Sequence, residues 1–300
     1  MRNSFVDNLV AAASCNKDIY LLCGDLGYGV LDKFAEQFPE RFINVGIAEQ
    51  NMTGMAAGLA MSGKKVFTYS IVNFAIARCL EQIRNDICYH NLDVTIVAVG
   101  GGLPYGTHGY THLGVEDVSF IRSLPNINTY IPADRYELKH AMAQILGANK
   151  PTYLRLARGG EADIHNTAIT SNLIAVLPEQ KINFICSGTV LEEACEAAKL
   201  LKVKNIEVGI LSLMSPDPQL ASSIREISAR TKALISVEEH ITYGGIGSFI
   251  AESISSLGKH AKLVRCGIEH NKLNHTGSQK FLRKANNIDA ASLVKIVEYL

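Results

Sequence analysis

The 300-residue sequence carries no excess of charge of either sign, because 29 Lys and Arg residues balance 29 Asp and Glu residues. Without a basic surplus, we expect neither nucleic acid nor anionic lipid as a partner. The longest apolar stretches, such as 94–99, are far shorter than the roughly 18 residues that a membrane-spanning helix needs. The N-terminus has no apolar segment behind a basic start, so no signal peptide is expected.

The seven cysteines include no C-x-x-C pair and are odd in number, which argues against a zinc site or a disulfide framework. Most lie beside aliphatic residues, where a free cysteine behaves as a small apolar side chain. A reduced, cytoplasmic setting is therefore predicted. Apolar residues are plentiful, at 47% against 19% charged, which is typical of a compact globular protein. At roughly 150 residues per domain, the length predicts about two domains.

Short apolar runs alternate with helical patterns along the chain, and this alternation predicts an α/β fold. Because the strands are almost wholly apolar, we expect two consecutive units, each a mostly parallel sheet covered by helices on both faces. The predicted domains are 1–160 and 182–300, joined by a polar linker over 161–181. The predicted strands are 19–23, 65–69, 94–99, 152–157, 183–186, 207–213, 233–237 and 261–265, and the helices are 51–61, 76–90, 189–202, 217–229, 247–257 and 290–299. The helix over 76–90 has its apolar residues at helical spacing on one face and is predicted to turn Arg78 outward.

The segment NVGIAEQN over 44–51 places a carboxylate, Glu49, where an extended segment becomes an Ala- and Gly-rich helix. One interpretation is structural, since an acidic residue in a first helical turn is favoured by the helix dipole. The other is catalytic. Gly46, Gly54 and Gly58 permit close backbone approach, so Glu49 is expected to be enclosed. An enclosed carboxyl group can exchange a proton with a ligand nitrogen.

The glycine-rich segment GGGLPYGTHGYTH over 100–112 follows the strand that ends at Val99. Loops at the carboxyl ends of parallel strands form the ligand crevice of such sheets. His108 and His112 are therefore candidates to bind or protonate a polar substrate, although exposed histidines in a turn are an equally simple interpretation.

Two further strand ends carry polar residues. Arg158 follows the strand at 152–157, where it either clamps a phosphate or carboxylate or forms an ordinary surface ion pair. His240 lies in the strand–loop–helix segment VEEHITYGGIG and is predicted to be structural or interfacial.

Five segments together resemble the C-terminal half of transketolase, and more closely the separately encoded C-terminal subunit of split bacterial transketolases. They are FINVGIAEQNMTGMAAGLAMSGKKVFTYS, RCLEQIRNDICYHN, YGTHGYTHLGVED, YLRLARG and VEEHITYGGIGS. The resemblance covers nearly the whole chain. The sequence is also similar to 1-deoxyxylulose-5-phosphate synthase and, more distantly, to beta subunits of 2-oxo acid dehydrogenases.

The resemblance implies a thiamine diphosphate enzyme, with a pyrimidine-binding domain followed by a transketolase C-terminal domain. Glu49 matches the glutamate that bonds the aminopyrimidine ring nitrogen and activates the cofactor. Phe74, eight residues before Gln82, matches an aromatic that stacks on the pyrimidine. His112 matches a histidine that contacts substrate, and Arg158 an arginine that binds a substrate phosphate. Ile47 and Gln50, which flank Glu49 in the I-A-E-Q segment, are the remaining expected cofactor contacts.

Two positions depart from the family pattern. His108 stands where full-length transketolases have an aspartate that contacts sugar hydroxyls. Gly100, about twelve residues before His112, stands where they have a phosphate-contacting histidine. The expected reaction is ketol transfer between sugars, with non-standard or nucleotide-linked sugars left open as substrates.

The G-D-G motif with a downstream asparagine, which the family uses to hold Mg²⁺ and the diphosphate, is absent, since Gly24-Asp25-Leu26 does not match it. A cation that bridges phosphates needs oxygen ligands, so we expect no metal site in this chain. The resemblance then implies a partner chain that carries this motif, in a heterotetramer built around a dimer of this chain. The alternatives are a 2-oxo acid decarboxylating subunit and a cofactor-free scaffold.

Overall fold

The computed structural model describes residues 1–300, and its first half contains a six-stranded sheet in which every pairing is parallel. The strand order is β2-β1-β3-β4-β6-β5. The strands are β1 Ile19–Cys23, β2 Phe42–Asn44, β3 Lys65–Ile71, β4 Val94–Val99, β5 Asn128–Tyr130 and β6 Thr152–Leu156.

Seven helices accompany this sheet. Their apolar residues form two buried clusters, one on each face, around α1 and α7 and around α3 and α4. Strands such as β4, all six of whose residues are buried, are apolar because both faces are covered. The helices are α1 Arg2–Cys15, α2 Asp32–Gln37, α3 Glu49–Met61, α4 Val72–Ala75, α5 Leu80–Gln82, α6 Asp117–Arg122 and α7 Arg135–Gly147.

The second half contains a five-stranded sheet of order β11-β10-β8-β9-β7, in which only β7 is antiparallel to its neighbour. Its strands are β7 Leu173–Leu177, β8 Ile182–Ser187, β9 Gly209–Leu213, β10 Ala233–Ile241 and β11 Lys262–Ile268. Its helices are α8 Leu191–Val203, α9 Ala221–Arg230, α10 Ile246–Ile254, α11 Gln279–Ala285 and α12 Ala290–Glu298. Helices α8 and α12 cover one face, and α9 and α10 the other.

The predicted fold class is confirmed, but several short elements were not predicted. The strands β2 and β5 have three residues each, too few for a periodic pattern. Strand β7 lies inside the segment 161–181, whose residues the sequence assigns to the linker. It is a half-exposed edge strand, and its apolar run is short. The bounds of the linker stay a prediction.

The continuous helix predicted over 76–90 is wrong. Helix α4 ends at Ala75, four residues form a turn, and α5 leads into a π-helical turn over Ile83–Cys88. The amide of Arg78 donates to the carbonyl of Asn73, five residues earlier, at 3.3 Å. Such widened turns occur often at functional sites. No helix in the structure is both long enough and apolar enough to cross a membrane.

Candidate active site

The loops that follow β1, β3, β4 and β6 meet at one edge of the first sheet, because parallel strands end together there. Gly24 follows β1, the α4 turn follows β3, Gly100 follows β4, and Arg158 lies two residues beyond β6. The start of α3, at Glu49, lies at the same edge. This edge therefore gathers the residues that the sequence singles out.

Glu49 is the first residue of α3, and only 2% of it is exposed. Its enclosure was expected, but the glycines named for it are not the cause, since the space beside Gly46, Gly54 and Gly58 is open. The close neighbour is Gly24, where a Cβ would lie 3.4 Å from Cγ and 3.6 Å from Oε1 of Glu49.

Arg78 is the charged partner of Glu49. Its Nη1 donates to Oε2 of Glu49 at 2.7 Å, and its guanidinium lies 4.5 Å from the centre of the Phe74 ring. The other carboxyl oxygen, Oε1, accepts no hydrogen bond within the protein. The predicted helix places Arg78 on an outward face, and the break after α4 turns it towards Glu49 instead. No Pro or Gly between 72 and 90 signals that break.

Gln50 and Ile47 make no hydrogen bond to the carboxyl group of Glu49. Gln50 is exposed, and its side-chain amide donates to the backbone carbonyl of Arg78 at 3.0 Å. Ile47 is 80% exposed. An apolar side chain this exposed beside an enclosed carboxyl group is available for contact with another molecule.

The two histidines of the glycine-rich loop join this group through Phe74. The His112 ring lies 5.3 Å from the Phe74 ring, edge to face, and 5.1 Å from the His108 ring. Burial lowers the pKa of His112, and the neighbouring His108 lowers it further. The lowered pKa favours the neutral form of His112, which can accept a proton from a bound hydroxyl group.

Tyr105 occupies the space above Gly100. That glycine has φ of +80°, and a Cβ on it would lie 2.0 Å from the Tyr105 ring. The guanidinium of Arg158 lies 5.2 Å from the centre of the same ring. The Tyr105 ring thus occupies the space beside Arg158 into which a side chain at position 100 would project. The sequence pattern does not single out Tyr105, because a tyrosine in a loop has no specific signature.

Arg2 provides a second cation near Arg158. Its Nη2 lies 3.4 Å from the position that a Cβ on Gly159 would take, and it forms no ion pair within the chain. Burial raises the pKa of Tyr69 to about 12, and the nearby charge of Arg2 opposes this rise. No sequence pattern marks Arg2, since its approach to the β6 loop depends on how α1 packs on the sheet.

The corresponding edge of the second sheet is buried. His240 is 1% exposed, and its Nε2 accepts from the amide of Ser119, in the first unit, at 3.3 Å. Burial lowers its pKa to about 4. These contacts agree with an interfacial role. Across the whole chain, no three His, Cys, Asp or Glu side chains are arranged to hold a metal ion.

Comparison with protein families gives two matches that together cover most of the chain. Residues 1–160 match the transketolase pyrimidine-binding domain, and residues 174–292 match the transketolase C-terminal domain.

Individual relatives are similar over nearly their full length. An apulose-4-phosphate transketolase subunit of Phocaeicola vulgatus is 31% identical, over 93% of this chain and 90% of its own. The 6-deoxy-6-sulfo-D-fructose transketolase subunit of a Clostridium species is 31% identical, over 98% and 92%. Among solved structures, a split-gene transketolase, described as an inactive beta4 tetramer, is 30% identical with a TM-score of 0.87, covering 99% of this chain and 96% of that one.

Proposed function

The chain belongs to the transketolase family of thiamine diphosphate-dependent enzymes, and from this premise we propose that it binds the pyrimidine half of the cofactor in a two-chain enzyme. The reaction is transfer of a two-carbon ketol unit between sugars. The observation that carries the proposal is the enclosed carboxyl group of Glu49, whose Oε1 is free of protein donors and whose partner Arg78 lies over the Phe74 ring.

These residues fit an aminopyrimidine ring. Phe74 offers an aromatic surface for stacking, and Oε1 of Glu49 offers an acceptor while Oε2 stays bonded to Arg78. An acidic group out of bulk water holds a hydrogen bond to a ring nitrogen more strongly than an exposed one. When bound, thiamine diphosphate supplies the carbon nucleophile that ketol transfer requires. Glu49 holds the proton on the ring nitrogen, and Phe74 fixes the plane of the ring. Ile47 and Gln50 complete the cofactor contacts in this proposal.

The diphosphate and Mg²⁺ belong to a partner chain in this proposal, because no group of acidic side chains here is arranged for a cation. That chain carries the G-D-G motif with its downstream asparagine, and two copies of each chain form a heterotetramer. Support comes from relatives named as subunits. Exposed apolar side chains of the first unit also favour contact with another chain: Tyr28, Ile47, Met55, Met61 and Tyr89. A cytoplasmic location stays part of the proposal.

The proposed substrate is a sugar that carries an anionic group. Arg158 is exposed and Arg2 half-buried at the same edge, and neither is neutralised by an ion pair. Arginine binds phosphate and similar oxyanions through paired N–H groups. The two relatives have names that include a phosphate and a sulfo group, respectively. His108 and His112 face the sugar hydroxyl groups, where neutral His112 accepts a proton during transfer.

Reconstitution with a chain that carries the G-D-G motif tests the proposal. With thiamine diphosphate and Mg²⁺, we expect ketol transfer between sugar phosphates by the pair and none by either chain alone. Glu49→Gln keeps the shape of the side chain. When the pair that contains this variant is titrated with thiamine diphosphate, we expect weaker binding of the cofactor than in the wild-type pair. Glu81→Gln, an exposed residue of the neighbouring helix α5, is the matched control.

Three outcomes would contradict the proposal in different ways. Normal turnover by Glu49→Gln would remove Glu49 from cofactor activation. Release of carbon dioxide from pyruvate, without ketol transfer, would favour the decarboxylating alternative. No cofactor binding by the pair, measured by calorimetry, would favour a scaffold.

A further inference from the structure

The glycine-rich loop over 100–113, here called the substrate loop, is held by side chains of the second unit. Glu239 in β10 is 3% exposed, and its Oε2 accepts from the backbone amide of Leu103 at 3.0 Å. Gly102 has φ of +91°, and a Cβ on it would lie 2.2 Å from the same oxygen. The glycine at 102 therefore lets the carboxyl group reach the loop backbone.

Helix α11 holds the carboxyl group of Glu239 in place. Gln279 donates to both of its oxygens, at 2.9 and 3.1 Å, and Nε of Arg283 donates to Oε1 at 2.5 Å. Burial would raise the pKa of Glu239, but the Arg283 charge and the amide of Leu103 lower it below its usual range. Every hydrogen-bond partner of this carboxyl group is a donor. The group is therefore ionised, because only in that form do both of its oxygens act purely as acceptors.

A second contact from the same region reaches the middle of the substrate loop. The amide of Gly277 donates to the carbonyl of Gly106 at 3.1 Å. A Cβ on Gly106 would lie 2.2 Å from Cδ1 of Leu282 in α11. The loop backbone is thus fixed at positions 103 and 106, on the approach to His108 and His112.

We infer that Glu239 is a positioning residue for ketol transfer: the second unit, through Glu239 and α11, sets the path of the substrate loop and thereby the places of His108 and His112. This inference rests on the proposed function, because it takes those histidines as substrate contacts. In this inference Glu239 acts through the backbone of the loop, and not on the substrate or the cofactor. Small misplacement of such groups costs up to about 100-fold in rate.

Glu238 offers a matched control in the same strand. It is 4% exposed, and its two oxygens accept from the amides of Ile246 and Gly247 at 2.8 and 2.9 Å. Both glutamates are thus buried carboxyl groups between donors, but Glu238 holds the start of α10 whereas Glu239 holds the substrate loop. A glutamine at either position would place its NH₂ group against one of the donors that now bind a carboxyl oxygen. It would therefore weaken one hydrogen bond at that position.

The experiment compares Glu239→Gln with Glu238→Gln in the reconstituted two-chain complex. For Glu239→Gln we expect kcat/KM for the sugar to fall by about 10- to 100-fold, while the affinity for thiamine diphosphate is unchanged. Hydrogen exchange of the peptide over 100–113 should become about tenfold faster. Glu238→Gln should change neither quantity, even if both variants lose thermal stability equally. Gln279→Ala, a milder change to the same contact, serves if Glu239→Gln fails to fold.

Unchanged exchange in the loop would overturn the inference, and so would faster exchange with unaltered kcat/KM. Equal loss of kcat/KM in Glu238→Gln would also overturn it, because burial of any carboxylate would then explain the effect. If the wild-type pair shows no ketol transfer, the proposed function fails separately. The exchange comparison still decides whether Glu239 holds the loop.

Discussion

The two sheets have the same strand–loop–helix architecture, yet their carboxyl edges are used differently. At the first edge, His108 and Arg158 are exposed, and one oxygen of Glu49 is free of protein donors. At the second edge, Glu239 and His240 are buried and bonded to groups of the first unit. The second edge is covered because the two units pack there.

This difference shows that polar residues at a strand end are not by themselves a ligand site. Charges at the second edge are compensated within the protein, as in the ion pair between Nε of Arg283 and Oε1 of Glu239 at 2.5 Å. Removing one partner of a buried ion pair is costly because the other charge stays buried. At the first edge, unpaired groups are available for a ligand instead.

The largest effect is expected from Glu49 at the open edge. Glu49→Ala should lower ketol-transfer turnover by about 10²- to 10⁴-fold, because the proton on the cofactor ring is then unsupported. The melting temperature should change little, since Arg78 is 44% exposed and becomes hydrated when its partner is lost. Steady-state rates and thermal melts check both parts. Turnover within threefold of wild type, a threshold of about 0.7 kcal/mol, would place the catalytic acid elsewhere.

Arg155 in β6 lies where the first unit packs on the covered edge, since its Nη2 donates to the carbonyl of Glu239 at 3.0 Å, and there the effect should be on stability. Arg155 is buried, and its Nε donates to Oδ2 of Asp117 at 2.7 Å. Arg155→Met should lower the free energy of unfolding by about 3–5 kcal/mol, because Asp117 stays buried without its partner. Urea denaturation measures this.

Arg158→Met is the control for Arg155→Met, since it removes the same group three residues further along the chain at an exposed position. It should cost no more than about 0.5 kcal/mol. Equal destabilisation by the two changes would show that the buried interface between the units and the open first edge do not differ in the way described.

The same Arg158→Met variant should weaken substrate binding. Loss of a charge-assisted hydrogen bond is worth about 1.5–3 kcal/mol, so KM for an anion-bearing sugar should rise by about 10- to 100-fold. KM for a neutral sugar should stay unchanged, which separates anion binding from general damage. Parallel kinetics with a sugar phosphate and its unphosphorylated form provide the comparison. An equal rise for both sugars would remove anion recognition from Arg158.

The smallest effect concerns the pair of histidines. Because His108 lowers the pKa of His112, His108→Asn should raise that pKa. The acidic limb of the kcat/KM profile should then move to higher pH, since His112 becomes protonated at a higher pH. A profile between pH 5 and 8, the range over which histidine titrates, detects the shift. Movement to lower pH would contradict the proposed coupling.

Motif-bearing residues were predictable, whereas their partners were not. Glu49 and His112 lie in segments whose order and spacing resemble one family, so both can be named as candidate site residues from the sequence alone. Arg78 was placed on the wrong face, because the widened turn after α4 has no signature in local sequence. Arg2 and Tyr105 carry no motif at all.

The sequence by itself determined the two α/β units and their alternating elements, because apolar runs and helical periodicity are local properties of the chain. It also determined which segments resemble transketolase. Tertiary structure alone decided that Arg78 pairs with Glu49, that Tyr105 covers Gly100, and that Glu239 reaches the substrate loop. Each of these contacts joins residues distant in sequence or depends on a break in a helix. Their geometry follows from how the units pack, which no local pattern encodes.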